Sequence, residues 1–422
     1  MIKTSGTTNS AGTLDLNFGE GGVVTPPAGT RSIAVLDDRK VIVLTGASLQ
    51  EPLTLARLNE TGKLDPSFGM DGVVKVPVTG YRMLAESVIA LENGKYLIYG
   101  YEAGTAPTRT YVCRLSENGQ IDPSFGENGM ATIRVPELAV VENEQACRFI
   151  NDQEKDVAID AVFFGDKRIA VSEQHGKVYV GAHIYTNTAG FQGVVYRLND
   201  DGSRDTSFNG GHLLIKPEFG PGLRILTLTS QNDGVLVGGA FTAGTGAPEV
   251  AFLKRFDTRG NADLSFGERG TVIIPNGIEG RRSLITSVAM GDSGLIVASG
   301  ESYKGGATEG LIVVLNPDGG LNRVFNEGQP LYANFLQNLM FSTLVLQSNL
   351  KILVTGSGDE GNLMAARYEL DGSLDPTFGN SGWVIINPKE KLTALSSELT
   401  PDTKIVVLGK SGSRMSVMRY LG

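Results

Sequence analysis

The chain has 422 residues, of which 41% are hydrophobic and 20% charged, enough to bury a large core and, for an ordinary globular chain, to form two or three domains. A formal net charge of −9 leaves no basic stripe for neutralising phosphates, so neither nucleic acid nor an acidic lipid surface is an expected partner. The only cysteines are Cys113 and Cys147, which excludes a disulfide framework and leaves a single bridge open.

At the amino end, MIKTSGTTNSAGTLD carries no apolar stretch of the kind a secretory signal needs, and nowhere do eighteen apolar residues run together as a membrane span requires. The expectation is a soluble chain, cytoplasmic by default, with signal-free export as the other route. Next comes GVVTP (22–26), which reads as a strand. Just before it stands Phe18, the first of seven aromatics that recur in one motif, seen most clearly in LDPSFGMDG (64–72), IDPSFGENG (121–129) and LDPTFGNSG (374–382). The series is Phe18, Phe68, Phe125, Phe208, Phe266, Phe325 and Phe378, with steps of 50, 57, 83, 58, 59 and 53 residues. A period near 60 marks a solenoid or a propeller, in which one supersecondary unit cannot bury its apolar face until neighbours stack on it.

The unit after Phe68 shows the content of one period. MLAESVIAL (83–91) and KYLIYGY (95–101) flank the turn Glu92-Asn93-Gly94 and predict two antiparallel strands. TYVCRL (110–115) predicts a third strand, and MATIRV (130–135), after the motif at Phe125, a fourth. No segment sustains a 3.6-residue apolar stripe, and 55 glycines would weaken helices wherever they fell in an interior. The chain reads as all-β, about twenty-eight short strands in seven four-stranded antiparallel blades, a seven-bladed β-propeller forming one domain over residues 1–422. With NGK or DG turns followed by RLNxxGxLDPSFGxxG, the units resemble the delta-60 repeat family from Leu14 to Leu421, a resemblance that implies a propeller and no particular activity.

The chain ends on LTALSS (392–397), KIVVLG (404–409) and MSVMRYL (415–421), three strands lacking a fourth. The amino-terminal strand, about 18–26, is therefore expected to complete the blade formed by 390–422 and remove a free edge.

Within the motif, Asp65 suits an Asx-turn, Pro66 presets φ, Phe68 is a core anchor and Gly69 takes positive φ. Asn209 and Asn326 replace that glycine in two units, Asn being the next most tolerant residue of left-handed geometry. The acid recurs as Asp15, Asp65, Asp122, Asp205, Asp263 and Asp375, and an arginine stands eight residues upstream in Arg57, Arg114, Arg197, Arg255 and Arg367, with Arg419 playing that part for Asp15 across the ring closure. In the fifth unit the acid is Asn322 and the upstream position is Val314. The joint loss points to structural Arg–Asp pairs, which suit a guanidinium–carboxylate fork, and seven copies of one catalytic centre would be odd chemistry.

Other chemistry is sparse. His175, His183 and His212 fall in the third unit at spacings that match no HExxH site. The run Asn199 to Asp205 alternates oxygens like a calcium loop but lacks its terminal Glu. No GxSxG elbow or phosphate-binding loop is present. No metal and no cofactor is assigned.

The units differ most after their second strands, in SLQEP (48–52), YEAGTAPTR (101–109), IYTNTAGFQ (184–192), FTAGTGAPE (241–249), ESYKGGATE (301–309) and GDEGN (358–362), and in an insertion at about 131–165. These segments share one face of a meander. Tyr101, Tyr185, Phe191, Phe241 and Tyr303 are the aromatics of that face, and Glu142, Glu144, Arg148 and Asp152 the charges of the insertion. Aromatics in polar, Gly-rich segments suit recognition. The expectation is a monomeric, non-catalytic binding module or scaffold for a protein partner, or else a glycan. The alternative is a polysaccharide-active hydrolase or lyase with carboxylates around the central channel.

Overall fold

The computed structural model describes residues 10–46, 52–77, 83–102, 109–134, 170–186, 190–218, 220, 222–231, 234–242, 249–277, 280–359, 362–386 and 392–422. Among them are twenty-eight strands and two short 3₁₀ turns, Asn209–Gly211 and Phe325–Gly328. The strands form seven four-stranded antiparallel blades. β1 (Val23–Val24) belongs to the last of these. The first blade is β2 (Thr30–Val35), β3 (Val41–Thr45), β4 (Leu53–Leu58) and β5 (Val73–Val76), and the second is β6 (Met83–Ala90), β7 (Tyr96–Glu102), β8 (Arg109–Leu115) and β9 (Met130–Arg134). The third comprises β10 (Ala170–Gln174), β11 (Lys177–Thr186), β12 (Gly190–Leu198) and β13 (His212–Ile215), and the fourth β14 (Gly222–Gln231), β15 (Gly234–Thr242), β16 (Val250–Phe256) and β17 (Thr271–Ile273). The fifth holds β18 (Arg282–Met290), β19 (Ile296–Lys304), β20 (Ala307–Leu315) and β21 (Leu331–Ala333), and the sixth β22 (Met340–Leu346), β23 (Ile352–Ser357), β24 (Leu363–Tyr368) and β25 (Trp383–Ile385). β26 (Thr393–Leu399), β27 (Ile405–Ser411) and β28 (Arg414–Tyr420) make the seventh with β1.

The blades bury both faces, which is why second strands such as β3 are continuous apolar runs. In β3 every residue is buried: Ile42 and Leu44 pack against the second blade, while Val41 and Val43 face the seventh. The motif aromatics are the largest pieces of these interfaces. Phe68 lies between the first and second blades and Phe125 between the second and third, both with no exposed surface. Burying such a ring contributes about 1.5–3 kcal/mol. The next blade must leave room for it. A Cβ on Gly119, at φ +76, would meet Cζ of Phe68 at 2.7 Å.

First strands line the inside of the ring. Their hydroxyls clip neighbouring blades together, as in Ser32 Oγ to Ser87 Oγ (2.8 Å), Ser172 Oγ to Ser230 Oγ (2.8 Å) and the Leu344 N–H donating to Ser287 Oγ (3.1 Å). Single-residue bulges fall at Arg31, Glu86, Leu226, Thr286, Ser342 and Leu395, each bending its strand around the axis.

The ring closes inside a repeat. Val23 and Val24 pair antiparallel with Met418 and Val417. Beyond this short strand, the Gly12 N–H donates to the Leu421 carbonyl (2.7 Å), Leu421 to Thr13 (2.9 Å) and Asp15 to Arg419 (2.8 Å). The same bonds run within the first blade, from Gly62 to Asn59, Asn59 to Lys63 and Asp65 to Arg57. RYLG (419–422) followed by AGTLDLNF (11–18) thus superposes on RLNETGKLDPSF (57–68).

In the two units where Asn209 and Asn326 replace glycine, φ is +45 and +43, against +56 at Gly69. Both turns tighten into the 3₁₀ segments, with the glycine at Gly211 or Gly328, one residue earlier than Gly72 in the first blade.

Candidate functional site

Two groups of polar residues occupy opposite faces of the ring. The first repeats. Arg57 Nε donates to Asp65 Oδ2 at 2.9 Å, and the equivalent distances are 2.8 Å for Arg114–Asp122, 2.9 Å for Arg197–Asp205, 2.7 Å for Arg255–Asp263, 2.6 Å for Arg367–Asp375 and 2.9 Å for Arg419–Asp15. Each guanidinium also covers the ring of its motif aromatic, as Arg57 does over Phe68 at 4.6 Å and Arg419 over Phe18 at 4.5 Å. In four blades it reaches the following blade, where the carbonyls of Glu117, Asp200, Thr258 and Pro317 accept from Arg57, Arg114, Arg197 and Arg255. One side chain therefore ties a loop, a core aromatic and the adjacent blade.

A lysine that the eight-residue Arg–Asp spacing does not reveal completes the set. It comes from the turn before the second strand: Lys40, Lys95, Lys177, Lys351 and Lys404 lie 3.4, 2.8, 2.8, 2.7 and 3.1 Å from the aspartates. Its signal was the final residue of the NGK turn. The fourth blade has Gly234 there, and its Asp263 is 28% exposed at the side chain, against 0% for Asp375. The fifth blade replaces Lys, Arg and Asp by Leu295, Val314 and Asn322, so an uncharged set takes the place of the charges. Asn322 Oδ1 still accepts from the N–H of Val324 (2.9 Å), keeping the turn without the charge.

Burial by itself would raise the aspartate pKa values. The Ser67 hydroxyl and N–H, with Arg57 and Lys40, more than offset this and hold Asp65 at about 2. Asp122, Asp205 and Asp375 are held well below the usual carboxylate range by their Lys and Ser or Thr hydrogen bonds, again against burial. Depressed folded-state values stabilise the fold above the unfolded aspartate pKa of about 3.9 and lose that contribution as pH falls through the folded values. Unfolding followed by circular dichroism should therefore show stability falling steeply below about pH 4. A stability constant from pH 6 down to pH 2 would contradict the assignment.

The oxygens of the Asn199–Asp205 run are engaged in the same way: Asn199 Oδ1 and Asp205 Oδ2 accept from Lys177 Nζ at 2.7 and 2.8 Å, and Asp201 Oδ1 accepts from the Ser203 N–H at 2.9 Å. His212 packs on Tyr196 at 5.9 Å, and His175 sits in a turn at φ +50. Cys113 is a buried free thiol.

The second group does not repeat and lies on the opposite face, at the ends of second strands and the starts of first and third strands. Two corrections apply to this face. The segments 184–192 and 301–309 are largely continuations of hairpin ladders, with Thr186 paired to Gly190 and Lys304 to Ala307. β-branched and aromatic residues favour the ladder, and Gly305-Gly306 supplies the tight turn. Phe241 is not exposed on this face. It is 1% exposed and stacks on Phe252 with centroids 4.4 Å apart, because strand alternation turns it into the interface between the third and fourth blades. Tyr101 is half-buried and pairs with Thr110. Tyr185 and Phe191 are paired backbone to backbone, and a single parallel bridge from Phe191 to Gly222 joins the third and fourth blades. Tyr303 is 39% exposed. Glu142, Glu144, Arg148 and Asp152 lie outside the described residues, as does all of the insertion beyond Arg134.

Around Tyr303, charged residues gather at the junction of the fourth and fifth blades. Arg282 lies over the Tyr303 ring at 4.7 Å, and Arg281 lies over Tyr332 at 3.8 Å. Arg281 donates to Ser302 Oγ (2.8 Å) and Glu309 Oε2 (2.5 Å), and Arg224 is ion-paired to Glu249. Between them is Glu301, 8% exposed. Its burial, reinforced by the Glu249 charge and only partly offset by Arg224 and Arg282, pushes its pKa up to about 8. Positions equivalent to Glu301 hold Gly46, Tyr101, His183, Ala240, Ser357 and Lys410, so this carboxyl is specific to one blade.

The windows 91–125, 176–208 and 347–378 match the family model described as a domain of unknown function (DUF5122) β-propeller. Each window runs through the second and third strands to the motif aromatic of a blade with the complete Lys–Arg–Asp set, so the repeating unit is a β-propeller repeat. No curated protein matches the chain in sequence. Among solved structures, the polysaccharide lyase Uly1 is similar with 9% identity and a TM-score of 0.52 over 99% of this chain and 94% of that one. Drosophila Semaphorin 2a aligns with 8% identity and a TM-score of 0.54 over 94% and 74%. The WD40 domain of Toxoplasma gondii coronin aligns with 10% identity and a TM-score of 0.50 over 98% and 84%. At these identities the likeness is one of fold, shared by proteins of unlike function. Among the described residues no helix is long and apolar enough to cross a membrane.

Proposed function

We propose that this protein is a non-catalytic binding module, built from repeats of the delta-60 kind, that recognises a protein or glycan partner through the face carrying the second-to-third-strand hairpins. One observation carries the reading. The repeated charges of the turn face are used in tying blades together, whereas the non-repeated charges and the exposed Tyr303 collect on the opposite face. A regular scaffold with its variety concentrated on one face is a common arrangement for recognition. In support, the chain aligns with Drosophila Plexin A, solved in complex with Semaphorin 1b, and with a polysaccharide lyase, so a protein complex and glycan chemistry both occur among proteins of similar fold.

The test is capture from lysate and from a glycan array by the full chain, compared with an Arg282→Ala/Tyr303→Ala variant and with Lys63→Ala on the turn face. Capture should drop at least tenfold in the first variant and stay unchanged in the second. Equal capture by all three would refute recognition at this face, and turnover of a captured polysaccharide would replace the module by an enzyme.

A further inference from the structure

Glu301 is a carboxyl with almost no exposed surface and, among the described residues, no hydrogen-bond donor, a state that disfavours an ionised group. Arg282, half-buried beside it on β18, makes no ion pair among the described residues and rests on Tyr303. The two groups sense each other electrostatically without forming a salt bridge. Every other charged group facing Glu301 has a role: Arg224 on β14 pairs with Glu249 at the entry to β16, and Arg281 holds Glu309 on β20 and Ser302. A guanidinium without a counter-ion, a neutral carboxyl able to donate and the exposed phenol ring of Tyr303 together present two donors and an apolar plate.

We propose that this junction of the fourth and fifth blades is a subsite for the carboxylate of a uronic acid, gripped by Arg282 and by the carboxyl of Glu301, with the sugar ring against Tyr303. A guanidinium suits a carboxylate. An O–H donor to a carboxylate makes a short, charge-assisted bond, and an aromatic face accepts the apolar side of a pyranose. An acidic peptide would supply the carboxylate but not the apolar C–H face of a pyranose. Because Glu301 must hold its proton, binding and protonation are linked: affinity is full below the pKa of the free site and falls as pH rises through it. Glu249, Arg224 and Arg282 set that pKa, and the Arg281–Glu309 pair is the next charge outward.

The inference deepens the recognition reading and rests on it. Calorimetric titration of the full chain with D-galacturonate from pH 6 to 9.5, beside methyl galactoside and a Glu-rich peptide, tests it. Galacturonate should bind at pH 6 and methyl galactoside should not. Above about pH 8 the Kd should rise tenfold per pH unit, the slope for one linked proton. Glu301→Gln, which keeps a neutral donor, should bind with a pH-independent Kd, and Arg282→Met should bind at least tenfold more weakly while melting like the parent. No galacturonate binding at pH 6, equal binding of the neutral sugar, an unchanged pH slope in Glu301→Gln, or tighter binding of the peptide would each overturn the subsite. Partner capture that still depends on Arg282 and Tyr303 would leave the recognition reading standing after such a failure, so the two fail separately.

Discussion

Removing residues 1–26 should lower the melting temperature by roughly 10 °C, far beyond what trimming a tail does. The deletion takes away β1, the fourth strand of the seventh blade, and with it Phe18, which has no exposed surface and fills the interface with the first blade. It also takes Asp15, whose Oδ2 lies 2.9 Å from Arg419 Nη2 and 3.1 Å from Lys404 Nζ. Leaving a buried arginine without its carboxylate costs about 3–5 kcal/mol, and loss of a core Phe a similar amount. Even with incomplete additivity, this is a large part of the 5–15 kcal/mol typical of a folded domain. Differential scanning calorimetry reads the outcome, and an unchanged melting temperature refutes the closure. The complementary construction joins Gly422 directly to Ala11 and opens the chain between Gly305 and Gly306, where an added Cβ meets nothing within 4 Å. Because RYLG–AGTLDLNF then reads as an uninterrupted repeat, this permutant should fold with at least the parent's stability.

Asp375→Ala should cost about 3–5 kcal/mol, while the same change at Asp263 should cost closer to 1 kcal/mol. Asp375 is fully buried and answers two cations, Arg367 at 2.6 Å and Lys351 at 2.7 Å. Asp263 answers Arg255 alone and stays in touch with water, which screens what is lost. Asp375→Asn separates charge from turn geometry. Asn322 shows that an amide can cap this turn when no arginine stands over it, so Asp375→Asn should fall between wild type and Asp375→Ala. Urea titration of the three variants gives the order. Equal losses at Asp375 and Asp263 would mean that the lysine adds nothing.

Motif spacing, turn residues and apolar runs carried the seven units, their strand content and the incomplete last blade, because each depends on neighbours a few residues apart and is written seven times over. Arg57 and Asp65 were legible as a spaced pair for the same reason. Lys40 was not, since its approach to Asp65 depends on the second strand lying against the third. Phe241 misled because a glycine-rich stretch looks like a loop until the register with Val250 fixes which way its ring points.

Sequence alone therefore determined the repeat, the fold class and the residues that hold it, all of which follow from local periodicity. Only the tertiary structure decided where Arg224, Glu249, Arg282 and Glu301 stand. They come from two blades and four separate stretches of chain, share no spacing, and meet because the ring stacks the fourth blade on the fifth and withdraws a carboxyl from water between them.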